Sequence, residues 1–187
     1  MQNLFVIIEG PDNVGKSTLI QNLKNSLNDM VFHVLHYSNV KQKNQDAIIK
    51  YNKNLYFQML DLMFHMSTKP STGMICDRSH LGEMVYGPIY RGYSGDYVLD
   101  IENSFRHIGP VFDNLFLVTL IDEPENLITR EDGLSFSTDL QKKQREIDLF
   151  KNAHEKSGIK YKLLLNIKDH NEEQALHAVL KFIKEKK

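Results

Sequence analysis

Leu4-Phe5-Val6-Ile7-Ile8-Glu9-Gly10-Pro11-Asp12-Asn13-Val14-Gly15-Lys16-Ser17 is the stretch on which the fold of this 187-residue chain turns. Its first five residues are apolar without alternation, the pattern of a strand buried on both faces. Residues 10–17 then spell G-x-x-x-x-G-K-S, and a helical pattern follows. The two glycines permit backbone dihedrals closed to other residues, so successive N–H groups turn inward around an anion. A helix beginning near Gly15 aims its positive dipole end at the same point. Lys16 adds a mobile cation, and Ser17 a hydroxyl suited to a magnesium ion. Strand, loop and helix together specify a site for nucleoside triphosphate, in which Gly10, Asn13, Val14, Gly15, Lys16, Ser17 and Thr18 surround the phosphates.

Working outward, apolar runs of strand length at 4–8, 31–37, 73–77, 114–120 and 161–166 alternate with helical patterns. The helices fall at 15–27, 45–67, 81–89, 97–107, 125–129, 138–156 and 172–184. Continuous apolar strands joined by helices predict an α/β protein: a five-stranded parallel sheet flanked by helices, in a three-layer P-loop NTPase fold. Such sheets hold ligands beyond the carboxyl ends of their strands. That edge collects residues 9–17, 37–43, 77–79 and 122–130, the segments with the polar chemistry. No linker or repeat interrupts the chain, so residues 1–187 are expected to form one domain. The glycine- and tyrosine-rich segment 87–95 is expected to fold over the site. The polar stretch around 130–138 reads either as a plain connector or as a lid, since phosphoryl transfer must exclude water.

Composition narrows the partners. The chain has 23 basic and 24 acidic residues, so no global basic field points to nucleic acid. Its single cysteine, Cys76, excludes an intramolecular disulfide, and its apolar setting reads as a buried side chain. No apolar run approaches the ~18 residues of a membrane span, and the N-terminus lacks signal-peptide features. The expectation is a cytoplasmic protein acting on a small-molecule nucleotide. The histidines show no metal-ligand spacing shared with cysteines.

Glu9-Gly10-Pro11-Asp12-Asn13-Val14-Gly15-Lys16-Ser17-Thr18 resembles the E-G-x-D-x-x-G-K-S-T start of thymidylate kinases. Asp77-Arg78-Ser79 resembles that family's D-R-Y motif, with Tyr86 where the family's D-R-Y-x-x-S-x-x-A-Y pattern has its tyrosine. Ile121-Asp122-Glu123-Pro124-Glu125 followed by Arg130 is similar to its strand exit and lid-opening arginine. The wording around residues 77–83 and 132–135 most resembles short members encoded by bacteriophages. The resemblance implies an ATP- and Mg²⁺-dependent deoxynucleoside monophosphate kinase acting on dTMP, with a short lid at about 130–138 and a homodimer in which helix 45–67 is the suspected contact. Two departures stand out. Ser79 replaces a tyrosine, giving a triplet that also resembles the E-R-S motif of deoxynucleoside kinases. Where the family places an arginine one turn after a base-stacking phenylalanine, this chain has Asp61 after Phe57.

The roles that follow are these. Lys16 bridges the terminal phosphates, Ser17 and Asp77 serve the metal, and Asp12 takes part in magnesium or acceptor positioning. Arg78 binds the acceptor's phosphate through its fork of donors. Arg130 neutralises the transferring group in the manner of a cis arginine finger. Alternatives remain open: Asp77 and Arg78 as a structural ion pair, Phe57 as core rather than base platform, Tyr86 as packing rather than sugar gate, and Arg145 as a solvated helix residue. Two other activities are weighed. A deoxynucleoside kinase would need a base near the 5′-hydroxyl, for which Glu9 is the candidate. A non-catalytic nucleotide switch would carry a guanine motif such as N-K-x-D, which Asn52-Lys53 does not complete. The segment 167–170 either holds the donor base or caps the last helix.

Overall fold

The computed structural model describes residues 3–37, 44–107 and 109–186; the part of the expected sheet edge contributed by 38–43 lies outside the described residues. Five strands, β1 (Leu4–Glu9), β2 (Val31–His36), β3 (Thr72–Asp77), β4 (Leu115–Ile121) and β5 (Tyr161–Asn166), form one sheet in the order β2-β3-β1-β4-β5. Every pairing is parallel. The central strands read as unbroken apolar runs because both faces are covered: all residues of β1 and β4 are buried. Phe5 and Ile7 face one layer, packing with Met59 and Met63 of α2 (Gln45–Ser67) and with Val98 and Ile101 of α4 (Tyr97–Phe105). Leu4, Val6 and Ile8 face the other, against Leu19 and Leu23 of α1 (Lys16–Ser26) and Val179 and Ile183 of α8 (Glu172–Lys186). The chain leaves β1 between β3 and β4, the crevice where open parallel sheets place their ligands.

One expected helix is not continuous. Residues 81–89 divide into a 3₁₀ turn (His80–Gly82), the short α3 (Glu83–Tyr86) and a π-helical turn (Gly87–Arg91). Pro88 has no N–H to give to the preceding turn, and the wider turn ends with the Gly92 N–H donating to the Gly87 carbonyl. Gly95 lies so close to α3 that a Cβ there would stand 2.1 Å from the Glu83 carbonyl oxygen. Arg91 and Tyr93 reach back to the Glu83 carboxylate, so the segment 87–95 braces α3. Among the described residues the remaining helices are α5 (Gly109–Phe112), α6 (Pro124–Thr129), α7 (Leu140–Lys156) and a 3₁₀ turn (Ile167–Asp169). α7 starts two residues later than expected because the Asp139 carboxylate caps it, accepting from the Lys142 N–H at 2.9 Å. α4 ends at Phe105, short of His107. Among the described residues no helix is long and apolar enough to cross a membrane.

Candidate active site

The loop after β1 has the backbone its glycines allow. Gly10 sits at φ +143, where an added Cβ would meet the Leu120 carbonyl oxygen at 2.4 Å. Gly15, at φ +93, is the N-cap of α1. Lys16 opens α1 but turns its ammonium back into the loop, donating to the carbonyls of Gly10 at 2.9 Å and Pro11 at 2.7 Å. Burial, seconded by the nearby Arg78 guanidinium, lowers its pKa to about 8, against the pull of Asp12, Asp77 and Glu9. Ser17 and Thr18 are exposed and line a cavity of about 1020 Å³. That cavity runs from the loop past Asp77 and Arg78 to Ile167, Lys168, His170 and Asn171 at the β5–α8 connection.

The end of β3 supplies the second wall. Asp77 closes the strand, and Arg78 follows at φ +67, a left-handed conformation that side chains other than glycine rarely adopt. This turn carries the guanidinium onto the Asp12 carboxylate of the phosphate loop. Burial works against the charge on Arg78, but Tyr86, Asp12, Asp77 and Glu9 outweigh it and raise its pKa. Directly across the β2–β3 register, His36 Nδ1 lies 2.9 Å from Asp77 Oδ2. Glu9, at the end of β1, is buried and accepts both the backbone N–H and the hydroxyl of Ser79 on Oε1. Burial raises its pKa, although Ser79, His80 and Lys16 all oppose the rise. Among the described residues, the buried side-chain polar atoms without a partner are Glu9 Oε2, Asp77 Oδ1, Arg78 Nε and Tyr86 OH. Each stands at the sheet's carboxyl edge or on α3 beside it.

Residues 130–139 connect α6 to α7 and lie down on the loop. Asn13, at φ +66, donates through its amide to Glu131 Oε2 and Ser135 Oγ, both at 3.0 Å. Glu131 Oε1 in turn accepts from the N–H groups of Gly133 and Ser135, shaping the segment from within. Phe136 stacks on Tyr90 with ring centroids 4.8 Å apart and touches Tyr86 at 5.3 Å. Arg130 lines the cavity, yet its guanidinium is held by Asp122 and by the Asn126 carbonyl. Beneath this segment α7 buries Lys143 and Glu146 completely, paired at 3.3 Å, with Tyr90 donating to Glu146 at 2.5 Å.

The structure thus gathers Gly10, Asp12, Asn13, Val14, Gly15, Lys16, Ser17, Thr18, Asp77, Arg78 and Tyr86 about the loop, with Arg130 at the cavity wall. Phe57 is not among them. It stands on the outer face of α2, 39% exposed, against Phe105 at 5.3 Å. Successive helical residues turn by about 100°, so the residue before it, Tyr56, faces inward to Tyr37 and His80. The buried stripe Ile48, Asn52, Tyr56, Met59, Leu60, Met63 and Met66 has helical spacing and excludes position 57. Arg145 is exposed, whereas Lys143 on the same helix is not. His36 had no motif to mark it, since strand partnership alone brings it to Asp77. Among the described residues no three His, Cys, Asp or Glu side chains gather into a protein-only metal cage. Mg²⁺ is bound elsewhere by one or two protein oxygens together with substrate phosphates, and the Ser17 hydroxyl with the unpartnered Asp77 Oδ1 fits that demand.

No protein-family model matches the chain, and no curated protein matches its sequence. Solved structures do match its shape. The YorR protein of Bacillus subtilis, solved in complex with phosphorylated GDP, is 15% identical with a TM-score of 0.66, over 96% of this chain and 95% of that one. Deoxyadenosine kinase from M. mycoides, with bound dCTP, is 12% identical with a TM-score of 0.55, over 97% of this chain and 100% of that one. At such identities the likeness speaks of the fold alone, a five-stranded parallel sheet flanked by helices with a phosphate-loop sequence after its first strand.

Proposed function

We propose that the protein transfers the γ-phosphoryl group of ATP to a deoxynucleoside monophosphate, with dTMP as the acceptor. The observation that carries this reading is the set of four buried polar atoms without partners around Arg78. An unpaired buried polar atom costs about 1–3 kcal/mol, and a second, oxygen-rich substrate beside the loop would supply the missing partners. Arg78 is held at the cavity wall by its left-handed backbone and by Asp12, its charge secured by the surrounding oxygens. A guanidinium so placed suits a phosphate acceptor.

In this reading Lys16 exchanges the Gly10 and Pro11 carbonyls for donor phosphates, and the loop amides hold the remaining oxygens. Ser17 and Asp77 would hold magnesium, which would supply positive charge against the donor phosphates. Arg78 aligns the acceptor. Arg130 leaves Asp122 for the transferring group as residues 130–138 close, while Tyr86 lies against the acceptor's sugar. No protein nucleophile takes part, because the acceptor phosphate is already anionic. Alignment and charge neutralisation supply the rate.

A second reading rests on Glu9. Burial makes its carboxylate more basic than usual, and a basic carboxylate beside Arg78 could take the proton of a 5′-hydroxyl, making the protein a deoxynucleoside kinase. Thymidine and dTMP offered side by side with ATP and Mg²⁺ decide between them. Consumption of dTMP alone supports the monophosphate reading; consumption of thymidine alone replaces it with the second.

A further inference from the structure

Behind Glu9 runs a chain of buried polar side chains that phosphate binding does not use. Glu9, Ser79, His80 and Glu102 are 1%, 2%, 1% and 2% exposed. Ser79 gives its N–H and its hydroxyl to Glu9 Oε1, each at 2.8 Å. The same hydroxyl lies 3.2 Å from His80 Nδ1, and His80 Nε2 lies 2.7 Å from Glu102 Oε1. Glu102, on α4, also accepts from the Ser157 hydroxyl at 2.7 Å and the Gly158 N–H at 2.6 Å, just after α7.

Direction along this chain follows from chemistry. Burial alone would raise the Glu102 pKa, but the donors His80, Ser157 and Gly158 bring it below the ordinary value. An ionised carboxylate only accepts, so His80 Nε2 carries the hydrogen that faces it. Ser79 spends its one hydroxyl hydrogen on Glu9, so Nδ1 holds the Ser79 oxygen by donating as well, the imidazole being a donor at both nitrogens. Ser79 in turn anchors one oxygen of Glu9 twice, leaving Oε2 buried and without a partner. Charged groups withdrawn from water this completely are rare unless paired. Here the pairing ends on Glu9, the carboxylate directly before the phosphate loop.

Resting on the two-substrate reading above, we infer that Ser79, His80 and Glu102 are positioning residues for the phosphoryl transfer: Glu102 fixes the imidazole, the imidazole fixes the Ser79 hydroxyl, and that hydroxyl holds Glu9 with Oε2 presented to the acceptor. The relay serves Glu9 whether the acceptor is a monophosphate or a nucleoside. It also explains why serine is useful where the thymidylate kinase pattern has tyrosine, since a small hydroxyl fits between two buried carboxylate-linked groups.

The test is a double-mutant cycle on the full chain. Ser79→Ala removes the hydroxyl without adding bulk. His80→Gln places an amide where Nε2 stood, keeping Glu102 paired while withdrawing from Ser79. Each single variant is expected to lose turnover by about 10²-fold, the scale of a misplaced reacting group, with the KM for ATP within about twofold of wild type. The double variant should fall no further than Ser79→Ala alone, because both changes act through one hydroxyl. Wild-type turnover in Ser79→Ala, or losses that multiply in the double variant, would overturn the relay. Glu9→Gln separates the two levels. If it loses turnover while Ser79→Ala does not, only the relay falls; if it turns over normally, the placement of Glu9 at the acceptor falls with it.

Discussion

Lys16 shows how a single residue is tuned by its surroundings. Its ammonium rests on two loop carbonyls in a buried pocket, and burial together with Arg78 brings its pKa to about 8. Between that value and the ordinary 10.5 the unfolded chain binds more protons than the folded one, so this group's contribution to stability rises with pH across that range. Bound phosphates reverse the local field and restore the proton. ATP binding at about pH 8.5 is therefore expected to take up a fraction of a proton, and affinity should fall as pH climbs past about 8. Calorimetric titrations in two buffers of different ionisation enthalpy measure this directly; identical heats would contradict it. The loop residues and Asp77-Arg78 were legible in sequence because a contiguous motif encodes local backbone geometry. Tyr56 belongs to the helically spaced buried stripe of α2, while the resemblance drew attention to its neighbour Phe57. His36 was not legible, because β2 and β3 are separated by α2 and only sheet register unites them.

Among the elements, the segment 130–139 carries the sharpest expectation. It is fastened to the phosphate loop by Asn13 and seated on Tyr86 and Tyr90 through Phe136. Its arginine is meanwhile turned to Asp122. If this segment is the lid, Arg130 meets the phosphates only as Asp122 releases it, so Arg130→Ala should leave ATP affinity nearly intact. Turnover should fall by ~10³-fold, the lower end of what arginine fingers supply, equal to about 4 kcal/mol of transition-state stabilisation. ATP affinity, thermal midpoint and turnover on one preparation check this. A lower midpoint with unimpaired turnover would make Arg130 a structural partner of Asp122 instead. The polar, glycine-containing composition marked the segment, but nothing local announced the buried Lys143–Glu146 pair beneath it, since both residues read as solvated helix positions. The broken helix at 80–91 was hidden for a similar reason: its apolar residues keep helical spacing while Pro88 forces a wider turn.

At the scale of the whole molecule, five parallel strands and their flanking helices were readable because both faces of the inner strands are buried, which leaves long apolar runs. β5 fell at 161–166 as expected, and the other strands within a residue at either end. Strand order was not readable: no local pattern tells β1 to lie between β3 and β4. That order places the loop, Arg78 and Asp122 along one edge, and the function proposed here depends on it. The most direct measurement is phosphorus NMR of the purified protein with ATP, Mg²⁺ and dTMP. The account predicts loss of the dTMP resonance as the paired resonances of dTDP and ADP grow, and loss of that conversion in Arg78→Met. A dTMP resonance that persists while ATP is bound by the folded wild-type protein, or is merely hydrolysed, would contradict it.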